Sequence, residues 1–394
     1  MNFPAHILTG TRRLVMRTAA PLMLAFSLVN PGQTLFAERY KAIVSPDSPE
    51  GQFLDLVSLQ SDESKKLALI EQFAQRFSKS QAVAWAYEQI QLGALASGQW
   101  DKALTFGERL MEINPDDLDT VQLNIKAAES KHDTDAVKRW SSYAEKISTR
   151  IVDSAPPKDP EELEAWKKRV TYASQITAQG DYALFKKALE TADPREKVRL
   201  FDEVLKRNPD TPYLAQMNVL YLNSYRQMGD SRKAFVYAEK VLEKDPSNED
   251  ALMTLADGYS QRGGASDRVM ALAPKIIELM HTKAKPAEIS QAVWDKKKAF
   301  YAGTSHWMMG NVFINQSRFG QADNSLRAAS QLLRGYDQSM AAVLFYLGWA
   351  NYKLDNVSEA TRFFQQCLGY RSQYTEQAAK NLNVIKAEHP GGQE

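Results

Sequence analysis

A spacing constrains this chain more than any other feature of its sequence. Gly229 precedes Ala234 by five residues and Ala234 precedes Pro246 by twelve, and Gly98, Ala103 and Pro115 repeat both intervals. Small residues at fixed intervals between amphipathic segments mark a repeated helix pair, not one closed core. In the clearest unit, Ala215 to Pro246, Tyr221, Leu222 and Tyr225 recur at helical steps. They share one face of a first helix, which is expected to stop at Gly229-Asp230. Ala234, Tyr237, Ala238, Val241 and Leu242 form the stripe of a second helix, closed at Asp245-Pro246 because proline cannot continue it. The small residue is a packing requirement: where two helices cross closely, a side chain longer than alanine at position 234 pushes the backbones apart.

These residues resemble the tetratricopeptide repeat family, whose 34-residue unit places large, small and aromatic residues in helix A, alanine early in helix B, and a late proline. Two C-terminal units follow the same pattern, one through Met309, Gly310, Phe313, Phe319, Ala322, Leu326 and Ala329, the other through Leu347, Gly348, Ala360, Phe364 and Cys367. The unit holding Gly98, Trp100, Ala103, Leu110 and Pro115 keeps the helix B half but carries Gln91 where a small residue is usual. Weaker copies begin at Asp116 (Leu123, Ala127, Ala136, Tyr143), at Asp181 (Val198, Phe201, Val204, Pro209) and at Glu249 (Leu252, Leu255, Ala256, Tyr259), the last with Gly263-Gly264 lengthening its turn. The resemblance covers roughly residues 64 to 388. It implies an all-α fold, a right-handed superhelical solenoid of antiparallel helix pairs, with helix A residues lining the inner surface.

Composition agrees: 44% hydrophobic and 25% charged residues, without long alternating runs, describe an all-helical chain. A length of 394 residues need not split into globular domains, because a solenoid grows by adding repeats. Turn-forming Ser45-Pro46-Asp47-Ser48-Pro49 assigns residues 38–63 to a linker and short helix. A first array is expected over 64–154. After the break Ala155-Pro156-Pro157-Lys158-Asp159-Pro160, a second array covers 155–388, starting with Asp159 as N-cap and a helix through Trp166, Val170, Ala173 and Ile176. Tyr374, Ala378, Leu382 and Ile385 give the last helix one apolar stripe opposite Gln377, Lys380 and Asn383, which suits a terminal cap. Residues 389–394 read as a frayed tail.

At the N-terminus, Arg12, Arg13 and Arg17 precede the apolar stretch Thr18 to Val29, and Leu35-Phe36-Ala37 offers a small residue before Glu38. Residues 1–37 thus resemble a secretory signal peptide, which implies an exported, periplasmic or extracellular protein. A membrane anchor is the alternative, but a dozen residues interrupted by Pro21 fall short of the roughly 20 needed to span a bilayer. Removing this segment takes 49 basic and 48 acidic residues to 46 and 48, a net charge of −2. Bulk charge then favours neither nucleic acid nor an acidic membrane surface. Cys367, the only cysteine, sits in a helix B stripe and is expected to be buried and inert.

No catalytic constellation emerges. The five histidines are scattered without a His-x-x-x-His pair, no glycine-rich phosphate loop follows a strand, and no Gly-x-Ser-x-Gly elbow occurs. Glu161-Glu162-Leu163-Glu164 reads as a solvated first helical turn favoured by the dipole. His306 beside Trp307 lacks an identifiable base or nucleophile. The sequence therefore implies a non-catalytic scaffold without cofactor or metal, binding a protein or peptide in its groove. Registered by the small residues, the groove takes Gln216, Val219, Asn223, Arg226 and Gln227 from one repeat, then Asp250, Met253, Asp257 and Gln261 from the next. Trp307, Asn311 and Asn315 follow, and Phe345, Trp349 and Tyr352 close the row as an aromatic anchor. An aromatic stripe at helical spacing is also what a packed core requires. Val219 and Trp307 occupy positions where a clamp for a free C-terminus would need lysine, which disfavours such recognition. The second reading is a self-assembling structural repeat, stacked into homo-oligomers through a terminal repeat, without a groove ligand.

Overall fold

The computed structural model describes residues 39–40, 43–262 and 264–389. Among them are seventeen α-helices and no strand. They fall into two compact units, one ending at Leu214 and one beginning at Ala215. The expected signal peptide and the end of the expected tail lie outside the described residues. No described helix is long and apolar enough to cross a membrane.

The first unit holds α1 (Pro49–Leu59), α2 (Glu63–Arg76), α3 (Val83–Ala96), α4 (Trp100–Ile113), α5 (Leu118–Ser130), α6 (Thr134–Val152), α7 (Pro160–Glu190) and α8 (Pro194–Arg207). Each helix packs on the next, and α5 also touches α7. The second unit holds α9 (Leu214–Gln227), α10 (Ser231–Lys244), α11 (Glu249–Gln261), α12 (Ser266–Thr282), α13 (Gln291–Asn315), α14 (Phe319–Leu332), α15 (Asp337–Lys353), α16 (Val357–Leu368) and α17 (Thr375–Glu388). Here α9 meets α10 through stacked Tyr221 and Tyr237 rings, 4.5 Å between centroids. From α10 onward each helix packs on its successor, with further contacts of α11 with α13 and of α13 with α15. Contact with the next helix and the next but one is the pattern of stacked helix pairs.

Two turn types alternate, and they explain why the pairs repeat. After α3, α5, α9, α13 and α15 one residue takes the left-handed conformation: Gly98, His132, Gly229, Ser317 and Asp355, at φ of 58 to 72°. The following amide then donates five residues back, as from Gln99 to Ala94, Asp133 to Ala128, Asp230 to Tyr225, Arg318 to Phe313 and Asn356 to Asn351. This closure satisfies carbonyls that a helix end otherwise leaves unpaired. The return turns after α4, α8 and α10 end on Asn114, Asn208 and Asp245, which share nearly one backbone conformation (φ −131 to −137°, ψ 84 to 91°). Each precedes a proline, which excludes helical geometry there.

The seams close on small residues, as the spacing requires. Ala103, Ala234, Ala322 and Ala360 are buried. A Cβ on Gly348 would stand 2.7 Å from the Phe364 ring, and one on Gly310 would stand 2.6 Å from Leu326 Cγ. Asp159 caps α7 by accepting from the Glu161 and Glu162 amides, with Pro160 in the first turn, and Glu161, Glu162 and Glu164 are exposed there. On α17, Ala378, Leu382 and Ile385 are buried while Gln377, Lys380 and Asn383 face solvent.

Two particulars differ from the sequence reading, one in α7 and one in α6. One 31-residue helix, α7, runs through both the segment after Pro160 and the start of the Asp181 copy. Its only internal glycine, Gly180, does not break it, because it marks a close approach in which Ser141 Oγ donates to the Gly180 carbonyl at 3.1 Å. Trp294 to Tyr301 form the opening turns of the 25-residue α13, and Trp294, Phe300 and Tyr301 are buried in the core. In α6 the buried aromatic is Trp140, whereas Tyr143 is 42% exposed. Trp140 lies on the face carrying Ala136, Val137, Ala144 and Ile147, all buried.

Candidate functional site

The sequence-derived groove residues all lie on α9, α11, α13 and α15, the first helices of successive pairs in the second unit. Gln216, Gln227 and Asn315 are exposed, and Val219, Asn223, Arg226, Asp257, Asn311, Phe345, Trp349 and Tyr352 are half-buried. Trp307 is buried, 8% exposed, and its indole N–H meets no hydrogen-bond partner among the described residues. Met253 is fully buried. Asn311 and Asn315 line a cleft of about 100 Å³ with Tyr259, Met308 and Val269. Asp257 accepts from Gln261 Nε2 at 2.7 Å. Burial pushes the Asp257 carboxyl above its ordinary range against the pull of that hydrogen bond.

Arg226 is drawn into a charged cluster that joins three of these helices. Its guanidinium contacts Asp250 of α11 at 3.1 Å and donates to the Tyr301 hydroxyl of α13 at 3.1 Å. Tyr301 in turn donates to Asp250. Lys297 of α13 reaches Asp250 at 3.0 Å and Glu249 at 2.9 Å. Burial alone would raise the Asp250 carboxyl, but Arg226 and Lys297 outweigh it and hold the group well below the usual carboxylate range. These side chains tie α9, α11 and α13 together, and Arg226 is spent largely on that tie.

The aromatic stripe of α15 divides in two. Phe345 stacks on Tyr374 at 5.2 Å and lies 5.8 Å from Phe364, so it serves the packing of α16 and α17. Trp349 and Tyr352 lie 5.9 Å apart, and the Lys353 ammonium sits 4.7 Å from the Trp349 ring centroid. Tyr352 donates to Glu388 near the end of α17 at 2.6 Å.

The first unit holds a cluster that the sequence reading did not single out. Arg39, in the segment that precedes the helices, reaches Glu88 of α3 at 2.7 Å, the α5 cap Asp117 at 2.8 Å and Asp119 at 3.3 Å. Tyr40 donates to Asp117 at 2.6 Å, and Tyr172 of α7 donates to Asp119. Asp117 also caps α5 by accepting from the Asp119 and Thr120 amides. Burial raises the Glu88 carboxyl, opposed chiefly by Arg39, and the net shift is upward. The available sequence signal was an arginine-tyrosine pair in the linker and three aspartates just after Pro115; only the fold shows that they meet.

Other groups with chemical potential are placed as follows. Cys367 is fully buried, and its thiol, pushed up to about 11 by burial, lies 3.4 Å from the Ala341 carbonyl. His306 is half-buried, and burial together with His281 lowers its pKa. Among the described residues no group of three His, Cys, Asp or Glu side chains is placed to hold a metal ion.

A family profile described as tetratricopeptide repeat matches residues 342–373, which cover most of α15 and all of α16. No curated protein matches the chain. Solved structures similar to it include the TPR domain of P58(IPK), at 12% identity over 88% of this chain and all of that one, with a TM-score of 0.33. Another is TTC0263, a thermophilic TPR protein of Thermus thermophilus, at 12% identity over 52% of this chain and 99% of that one, TM-score 0.27. A third is the apo form of RapI, at 12% identity over 78% and 87%, TM-score 0.29.

Proposed function

We propose that this chain is a non-catalytic adaptor of the cell envelope, exported by residues 1–37, that holds a protein or peptide against α9, α11, α13 and α15. Stacked helix pairs present extended inner surfaces suited to polypeptide ligands. One observation carries the reading: the seams between helices are closed by alanine and glycine, so the amides of Asn223, Asn311 and Asn315 and the side chains of Gln216 and Gln227 stay at least partly open to solvent. Each amide can donate and accept, which matches the backbone of an extended peptide. Trp349 and Tyr352 supply an aromatic edge to the same row.

The test is proximity cross-linking in the source cells, comparing the native chain with an Asn223→Ala/Asn311→Ala/Asn315→Ala variant that keeps its helicity. Cross-linked partners lost from the variant support the reading. An unchanged set of partners removes these residues from the site.

One observation favours self-assembly through the first unit. Helix α1 leaves Leu56 and Leu59 57% and 81% exposed, whereas the outer face of α17 is polar apart from Val384 and Ala387. Sedimentation of the wild type against Leu56→Glu/Leu59→Glu decides it: a concentration-dependent dimer lost in the variant supports stacking through α1, and a monomer in both rejects it.

A further inference from the structure

Three carboxylates converge on one guanidinium in the first unit, and the guanidinium comes from outside the helices. Arg39 Nε and Nη2 both lie 2.7 Å from Glu88 Oε1, while Nη1 contacts Asp117 at 2.8 Å and Asp119 at 3.3 Å. The Glu88 side chain is fully buried, and its Oε2 is without a hydrogen-bond partner among the described residues. The pocket therefore carries more negative charge than Arg39 balances, and the pairing is incomplete on both sides, since Arg39 Nη2 also lacks a hydrogen-bond partner among the described residues. Its walls belong to three helices, α3, α5 and α7. The described occupant is a two-residue piece of chain in a turn, held by the side chains of Arg39 and Tyr40.

We propose that Glu88, Asp117 and Asp119 form a binding site for an arginine side chain, in which Arg39 is an exchangeable resident that an arginine of another polypeptide can replace. The geometry selects arginine over lysine. A planar fork presents separate N–H groups at fixed spacing to Glu88 on α3 and to the aspartates at the start of α5, whereas an ammonium offers all its donors from a single point. Departure of Arg39 leaves buried carboxylates without a counter-charge, so exchange is coupled to the arrival of another cation. The Tyr40 hydroxyl on Asp117 marks the next position of the ligand, which suits an aromatic side chain. Because Arg39 is tethered, it competes at an effective concentration on the order of millimolar, which masks the site in the resting chain. This inference concerns the first unit and stands apart from the groove proposed for the second.

The test uses the full chain and a synthetic peptide of residues 38–43, Glu-Arg-Tyr-Lys-Ala-Ile, followed by titration calorimetry. The Arg39→Ala chain should bind the peptide at least tenfold more tightly than the wild type does. Binding should fall at least tenfold when the peptide arginine becomes lysine, or when Glu88→Gln is added to the Arg39→Ala chain. Equal binding of the lysine peptide, or no binding by an Arg39→Ala chain of native helicity, overturns the proposal. Should Arg39→Ala not fold, Tyr40→Ala keeps the buried cation and loosens the resident segment. That chain must then bind the peptide more tightly than the wild type, and equal affinity overturns the proposal too.

Discussion

Gln91 Nε2 donates to Asn124 Oδ1 at 2.9 Å, and both side chains are fully buried between α3 and α5. Gln91 stands where a small residue usually closes the seam, and the room for this amide pair is supplied by Gly107 on α4. A Cβ on Gly107 would lie 2.0 Å from Asn124 Oδ1. The volume missing from one helix is thus made up on its neighbour. Gly107→Ala gains about 1 kcal/mol in helix propensity but forces the buried amides apart. A net loss of about 2 kcal/mol is expected in urea unfolding. Asn124→Ala added to Gly107→Ala removes the clash and should recover part of that loss, so a strictly additive double variant would contradict the account.

The left-handed turns offer a gain in stability. His132, Ser317 and Asp355 hold φ near 58° with a side chain, a conformation that costs roughly 1 kcal/mol outside glycine. Each of His132→Gly, Ser317→Gly and Asp355→Gly is expected to raise stability by about 0.5 kcal/mol, after allowance for the greater freedom of glycine in the unfolded chain. Gly229→Ala should lower it by about 1 kcal/mol. Thermal unfolding of the four single variants checks both signs.

Acid should loosen the second unit through Asp250. Its folded pKa is depressed, so the stabilisation from Arg226, Lys297 and Tyr301 is fully present above the unfolded value near 4 and is lost as pH falls toward the folded one. Asp250→Asn should cost about 2–3 kcal/mol at pH 7. It should also flatten the dependence of the urea midpoint on pH below about 4. A wild-type midpoint that does not move between pH 5 and pH 3 would remove this cluster as the cause.

Asp181 on α7 behaves in the opposite sense. It is 3% exposed and one of its oxygens is unpartnered among the described residues. Burial lifts its carboxyl to about 6 despite the opposing charge of Arg207. The folded chain then binds a proton more tightly than the unfolded one, so stability falls as pH rises from about 4 to 6, and the penalty remains above that window. Asp181→Asn is expected to stabilise the first unit by about 2 kcal/mol at pH 7 and to have little effect at pH 4. Urea titrations of both chains at the two pH values decide it.

What was legible in the sequence follows from the physics of each feature. Glycine at 310 and 348 and alanine at 234, 322 and 360 mark seams because nothing larger fits, Gly229 marks a turn because it holds a positive φ, and proline at 115, 209 and 246 marks return turns because it cannot continue a helix. Where the turn residue is His132 or Asp355 no such punctuation exists, and the copies around α5 and α6 read as weak although their turns close in the same way. The 31-residue α7 was hidden because a repeat template expects a break that Gly180, a contact with Ser141, does not make. Candidate site residues could be registered onto the first helices of successive pairs, yet burial of Trp307 and the tie of Arg226 to Asp250 depend on neighbouring repeats. The meeting of Arg39 with Asp117, 78 positions later, has no local signature at all.

That separation has a kinetic side. Most packing in both units joins a helix to the next one or the next but one, so contact order is low and assembly can proceed by zippering outward from any early pair. Arg39 has no place to dock until α3 and α5 have already met, and its arrival closes a loop of 49 to 78 residues. In refolding it belongs to the last events rather than to the nucleus. Loss of Arg39 should then accelerate unfolding while leaving the folding rate nearly unchanged.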